Sequence, residues 1–317
     1  MNTQASSAFV RNPAAGAGLA LLCLCILGTM PIIANSRPAG FSALGFAFYL
    51  SLWQSVFAVP LFWREMRGAN RGIFGAGVTS AQRRRALLVA LATSIMFGLS
   101  TYLYVLGVEK AGAVSAAIAM QAYPVFAILW ESLFLNRRKS VPELALTALL
   151  IVSMYYLGTG GTWRVDGFSP WFLLALGVPF LWSIAHVIIK EELNSTPVTP
   201  AQVTFVRVVV STLFLAIVVA LFEPQAFAAG LQGAEFQYFA VLMGFVYYLE
   251  LIIWFYAARH IDISLASSIT TPWPALTMVL AVIFLGDRVE PYQIGAFIVV
   301  GLCIYGLTFL GTRNKAP

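Results

Sequence analysis

Long apolar stretches separated by short polar connectors run through the whole sequence. A helix crossing a hydrocarbon layer of about 30 Å needs about 20 mainly apolar residues. Ten stretches meet or approach that length, at roughly 14–34, 42–63, 86–107, 113–135, 143–159, 170–189, 201–222, 237–258, 263–285 and 292–311. The pattern predicts an all-α integral membrane protein with ten transmembrane helices. The longest inner connector, Arg64 to Arg85, is rich in glycine and arginine and reads as a mobile loop. No connector has room for a soluble domain, so any chemistry takes place within the membrane.

The fourth and ninth stretches correspond. At an offset of 150 positions, Ala111 to Leu135 lies on Ile261 to Leu285, with Tyr123-Pro124 on Trp273-Pro274, Ala116 on Ala266 and Phe134-Leu135 on Phe284-Leu285. The register continues to Tyr155 on Tyr305. A proline inside a span removes one backbone hydrogen bond, and the same defect in corresponding helices points to a binding site. The alternative is that Pro124, Pro272 and Pro274 only kink helices for packing. The run Gly158-Thr159-Gly160-Gly161-Thr162 is the natural linker between halves, residues 1–160 and 161–317. Five spans per half is an odd number, so the halves are expected to lie upside down relative to one another, as two inverted five-helix repeats.

Composition agrees with this class. Sixty per cent of residues are apolar, ten per cent are charged and the mean hydropathy is +0.84, whereas soluble domains carry about 25% charged residues. With both termini cytoplasmic, fourteen Lys and Arg residues fall on the inner side, among them Arg83, Arg84, Arg85, Lys190 and Arg259. Four fall outside: Arg37, Lys110, Arg164 and Arg288. This positive-inside bias accounts for the net charge of +6 without a nucleic-acid partner. The Arg83-Arg84-Arg85 run reads as a membrane-surface anchor. The first stretch follows a single arginine, Arg11, with no small-residue cleavage pattern after it, and reads as a retained helix. Cys23, Cys25 and Cys303 lie within spans and read as packing residues, with no metal or disulfide framework.

Each half closes with an apolar helix containing an aromatic-Pro pair, followed by Phe-Leu and a short charged turn, Phe134-Leu135-Asn136-Arg137-Arg138 and Phe284-Leu285-Gly286-Asp287-Arg288. On these residues the chain resembles the drug/metabolite transporter superfamily, EamA type, over about residues 14 to 311. Trp182 fits the family pattern; the corresponding part of the first helix, near Leu27-Gly28, lacks the usual tryptophan, and Asn136-Arg137 replaces what Gly286-Asp287 preserves. The resemblance implies a central cavity walled by spans 1 to 4 and 6 to 9, with spans 5 and 10 peripheral. It also implies transport of small organic solutes such as amino acids, amines, nucleosides or drugs, usually outward. Residues 1–160 and 161–317 would then be two EamA-like repeats. Two halves in one chain supply the symmetry a cavity needs, so a monomer suffices, and a compact chain of this kind suits a bacterial inner (plasma) membrane.

Glu250 carries the strongest functional signal. It lies about 10 Å inside the eighth span, where an unpaired carboxylate is costly. Tyr247 and Trp254 flank it at helical spacing on one face. A carboxylate between aromatic rings suits an ammonium group, in a cationic or zwitterionic substrate, and would also suit a proton as the coupling ion. The structural alternative pairs Glu250 with Arg207, at similar depth in the seventh span. Gln121 and Tyr123 flank the break in the fourth span as Thr270, Thr271 and Trp273 flank that in the ninth, and offer orienting contacts. Trp182, His186 and Lys190 share one face of the sixth span; His186 could relay protons, or be a satisfied interfacial residue. No HExxH, paired aspartates or phosphate-binding glycine loop is present. The sequence therefore predicts no enzyme and no cofactor, and transport driven by a gradient or by exchange.

Overall fold

The computed structural model describes residues 12–68, 71–75, 77–134, 140–261, 266 and 269–313, and among the described residues every regular element is helical. The turn Asn136-Arg137-Arg138, and Arg11, Lys139 and Lys315 of the charge pattern, lie outside them.

Helices begin where a side chain takes up N–H groups left unmet in the first turn. Asn12 accepts from the Ala15 N–H and opens α1 (Pro13–Asn35). Ser42 caps α2 (Ala43–Arg67). Thr79 and Gln82 form a reciprocal capping box at the head of α3 (Ser80–Ala111). At 1.5 Å per residue α3 is about 48 Å long, so it outreaches the hydrocarbon layer at its charged ends. Gly112, with φ of +83°, separates it from α4 (Ala113–Met120), and Gln121-Ala122 turn the chain into α5 (Tyr123–Phe134).

A second capping box, Ser140 with Glu143, opens α6 (Val141–Gly158). Ser169 and Thr199, each followed by proline, open α7 (Pro170–Ser195) and α8 (Pro200–Phe222). Two further helices follow, α9 (Gln225–Gln232) and α10 (Ala234–His260). After the turn at Thr271-Pro272 come α11 (Trp273–Leu280), a π-helical turn (Ala281–Leu285) ended by left-handed Gly286, and α12 (Pro291–Arg313).

Among the described residues eight helices are long and apolar enough to cross a membrane, namely α1, α2, α3, α6, α7, α8, α10 and α12. The fourth and ninth apolar stretches differ from the expected continuous spans, being broken at residues 121–122 and 271–272. Proline supplies no N–H at 124 or 274, which removes one rung of the helical ladder beside each break, although α1, α2 and α7 continue through Pro31, Pro60 and Pro179. These breaks recur at the 150-residue offset, as do the starts of α5 and α11 and those of α6 and α12.

Packing brings the two halves together along their length. α1 lies against α10 and α11, α2 against α8 and α10, and α3 against α7 and α8, while α6 and α12 pack on each other. Small residues permit close approaches: a Cβ on Gly107 of α3 would sit 3.1 Å from that of Ala175 in α7.

Two connectors contain short helical segments among their described residues. The segment after α8 contains α9, held to α2 by the Tyr49 hydroxyl donating to the Phe227 carbonyl at 2.6 Å. In the α2–α3 connector, buried Gln202 of α8 donates from Nε2 to the Arg71 carbonyl (2.8 Å) and accepts from the Ile73 N–H (3.1 Å). Ile73 is buried as a result.

Candidate functional site

The polar centre of the molecule is built from α3, α7, α8 and α10. Tyr247 is near the midpoint of α10, and Glu250 lies ten residues, about 15 Å, from its C-terminal end. Arg207 lies seven residues into α8, about 10 Å. Its guanidinium carbon is 3.3 Å from the centroid of the Phe97 ring, a cation–π contact. Arg207 is 5% exposed and its Nη1 has no hydrogen-bond partner. The charges of Arg207 and Glu250 are close enough to interact, yet among the described residues the two form no direct ion pair. Glu250 remains partly accessible.

The hydroxyl of Tyr247 is buried beside Arg207 and Thr101 without hydrogen-bond geometry to either. Tyr104, whose hydroxyl is close to Tyr247 and Glu250, is likewise buried and unpartnered. By contrast Thr101 donates to the Phe97 carbonyl at 2.8 Å. Ser100 donates to the same carbonyl at 2.9 Å and accepts from the Trp182 indole at 3.0 Å. That last bond fixes α7 to α3 and orients Trp182.

An aromatic wall adjoins these groups. His186 lies 5.4 Å from Phe97, 5.8 Å from Tyr123 and 6.5 Å from Trp182, between ring centroids. Tyr123 is the first residue after the break between α4 and α5, so the broken helix delivers one side chain to the site. On the side of the α2–α3 connector the site abuts a cavity of about 40 Å³, bounded by Thr93, Glu192, Gln202 and Arg207. That volume admits about one or two waters, not a metabolite. Near it Arg85 Nε lies 3.4 Å from the buried Glu192 carboxylate.

Of the residues singled out in the sequence, Arg207, Tyr247, Glu250, His186, Trp182 and Tyr123 are thus brought together. Trp254 packs against Ala20, Ile261 and Ala266. Gln121, Thr270, Thr271 and Trp273 are buried at the two helix breaks, where the first turns the chain after Ile118. Pro272 caps α11 and Pro274 lies within its first turn, as Pro124 does in α5. The sequence reading missed Phe97, Ser100, Thr101 and Tyr104. Phe97, Thr101 and Tyr104 recur at intervals of four and three on α3, and that stripe is the signal that could have found them.

Membrane-length helices gathered around one polar, aromatic-walled centre describe a multi-pass membrane protein. The sequence profile of the EamA-like transporter family matches residues 14–159 and again 169–311, and the chain belongs to that family. Among curated proteins it is similar to the pseudopaline exporter CntI of Pseudomonas aeruginosa, in strains UCBPP-PA14 and PAO1, at 28% identity over 117 residues in each case. The similarity takes in 37% of this chain and only 38% of the exporter's own length. A solved crystal structure shares the fold, with a TM-score of 0.62 at 14% identity over 95% of this chain and all of the other.

Proposed function

We propose that this chain is a secondary-active transporter of small organic metabolites such as amino acids or amines, working outward across the inner membrane. The observation that carries the reading is the Arg207–Tyr247–Glu250 centre. Ionisable groups are costly inside apolar helices, and such groups mark substrate or ion pathways. In this reading α4 with α5, and the broken ninth stretch with α11, complete ten spans in two inverted halves, residues 1–160 and 161–317. Both termini are cytoplasmic, by the distribution of Lys and Arg. A single copy suffices, and the halves rock about the two broken helices to expose the centre to either side. The substrate carries a cationic nitrogen opposite Glu250. Outward direction is supported by the exporter CntI, which resembles part of this chain.

The test is uptake of labelled amino acids and amines into sealed inside-out vesicles. Export predicts accumulation there, above that in vesicles lacking the protein. Accumulation only in right-side-out vesicles would make it an uptake system or exchanger, and binding with no flux in either orientation would make it a receptor or assembly subunit.

A further inference from the structure

We propose that the N-terminal end of α3 is a binding site for an anionic phospholipid, with Arg83 and Arg84 on its phosphate and the leucines that follow along one of its acyl chains. The site is separate from the polar centre, since Phe97 lies about 20 Å further along the same helix, and it does not depend on the direction of transport. An open groove of about 370 Å³ is lined here by Ser80, Arg83, Arg84, Leu87, Leu88 and Leu91. That volume is within the range of small-molecule sites, unlike the cavity of about 40 Å³ beside Glu192. Two guanidinium groups and a hydroxyl stand at one end of the lining and three leucines at the other, with no acidic residue among them. The three consecutive arginines are not equivalent. Arg85 turns to α7, where its Nε lies 3.4 Å from the buried Glu192 carboxylate. Arg83 is half-buried, and the contact of its Nη2 with the Gly75 carbonyl oxygen, at 3.4 Å, holds it at the groove. Arg84 is exposed and, among the described residues, has no ion-pair partner.

Spacing along α3 defines the rest of the ligand. Ser80, Arg84, Leu87, Leu88, Leu91 and Ile95 recur at intervals of three and four and so share one face of the helix. All six are exposed. From Arg84 to Ile95 the helix rises about 16 Å, against about 15 Å for one leaflet of a 30 Å hydrocarbon layer. The charge therefore stands at headgroup level when the apolar residues lie beside the chains of that leaflet. Helical side chains lean towards the N-terminus, which carries the Arg84 guanidinium out of the hydrocarbon to the phosphates. A phosphodiester offers anionic oxygens to the forked N–H donors of a guanidinium. An acidic peptide arriving from water would meet the arginines but could not follow the leucines to Ile95, inside the apolar span of α3. A zwitterionic lipid would cover the leucines, but its own cation would offset the phosphate charge at Arg84.

The experiment is thermal unfolding of the purified full chain in a neutral detergent, titrated separately with four probes. They are phosphatidylglycerol, phosphatidylcholine with the same acyl chains, glycerophosphoglycerol as the headgroup without chains, and inorganic phosphate. Phosphatidylglycerol should raise the midpoint, and each of the others should need at least about tenfold more or have no effect. Arg84→Gln should keep the unliganded midpoint, because it removes an exposed and unpaired group. It should raise the half-saturating phosphatidylglycerol concentration about fivefold, the attraction of one basic side chain for an anionic membrane surface. Leu88→Ser, on the acyl half of the groove, should also weaken binding, and carries the test if Arg84→Gln fails to fold. Arg67→Gln removes a neighbouring charge that stacks on Trp63 outside the groove and should leave binding unchanged. Equal stabilisation by phosphatidylcholine would overturn the proposal in favour of plain coverage of an apolar face. Equal stabilisation by glycerophosphoglycerol or phosphate would overturn it in favour of a free phosphate. A loss in Arg67→Gln as large as that in Arg84→Gln would reduce the site to a diffuse basic field, and undiminished binding in a folded Arg84→Gln or Leu88→Ser would likewise refute it.

Discussion

Replacing Gly244 by alanine should loosen the scaffold of the site, although the same substitution elsewhere in this protein should tighten it. Gly244 is one turn before Tyr247 on α10 and faces the backbone of α2. A Cβ there would sit 2.7 Å from the Leu50 carbonyl oxygen, 2.7 Å from the Trp53 Cβ and 3.0 Å from the Gln54 nitrogen. Nonbonded carbons settle at about 3.5 Å or more, so α2 would have to retreat by about 0.8 Å. Two of the three obstructing atoms are backbone, which no rotamer change can move aside. Overpacking of this kind costs about 1–3 kcal/mol, against about 1 kcal/mol gained from replacing glycine in a helix. Gly301, in α12, has nothing within 4 Å of the position its Cβ would take. Gly301→Ala should therefore gain about 0.5–1 kcal/mol. Thermal unfolding of both variants in one detergent reads the comparison: the midpoint should fall for Gly244→Ala and rise for Gly301→Ala. A Gly244→Ala midpoint at or above the parent's would refute the close packing of α2 on α10.

Two further predictions concern the α2–α3 connector and its neighbourhood. Gln202→Leu removes the clasp on Arg71 and Ile73, and the unmet backbone groups should cost about 1–3 kcal/mol; protease cleavage within residues 71–75 should accelerate, and an unchanged rate would show that the clasp does not hold the segment. Arg85→Gln leaves the buried Glu192 carboxylate without its cation and should lower the unfolding midpoint more than Glu192→Gln does. If the order is reversed, or if the double variant is worse than Arg85→Gln alone, the pair does not act as described.

Much of this molecule was legible in the pattern of apolar residues, because a membrane leaves the backbone few options. The proline pairs at 124 and 274 announced helix breaks, and the turns at 121–122 and 271–272 fall beside them. Spacing along one helix also placed Tyr247 and Glu250 together correctly. What spacing could not give was the partner across the gap. Tyr104, Thr101 and Phe97 belong to a helix whose polar face looks ordinary until α8 and α10 are laid against it. Trp254 shares the Glu250 face by arithmetic, and it packs both on Ala20 and Ile261 and on the main core that holds Tyr247. The depth of Arg207 suggested a bond to Glu250, whereas the observed geometry stacks the guanidinium on Phe97, a choice made by an interhelical approach that no single-helix period records. α9 escaped notice because eight residues are too few to show a period against a polar background.

The most direct measurement is aqueous access to the centre. Glu250→Cys would be placed in a chain whose Cys23, Cys25 and Cys303 are replaced by alanine, reconstituted in sealed vesicles of known orientation, and exposed to a membrane-impermeant thiol reagent from one side at a time. The account predicts modification from both compartments, slowed by a bound amino acid, because one central site opens alternately to each. A folded protein modified from neither side would contradict it, and Glu250 would then be part of a sealed core.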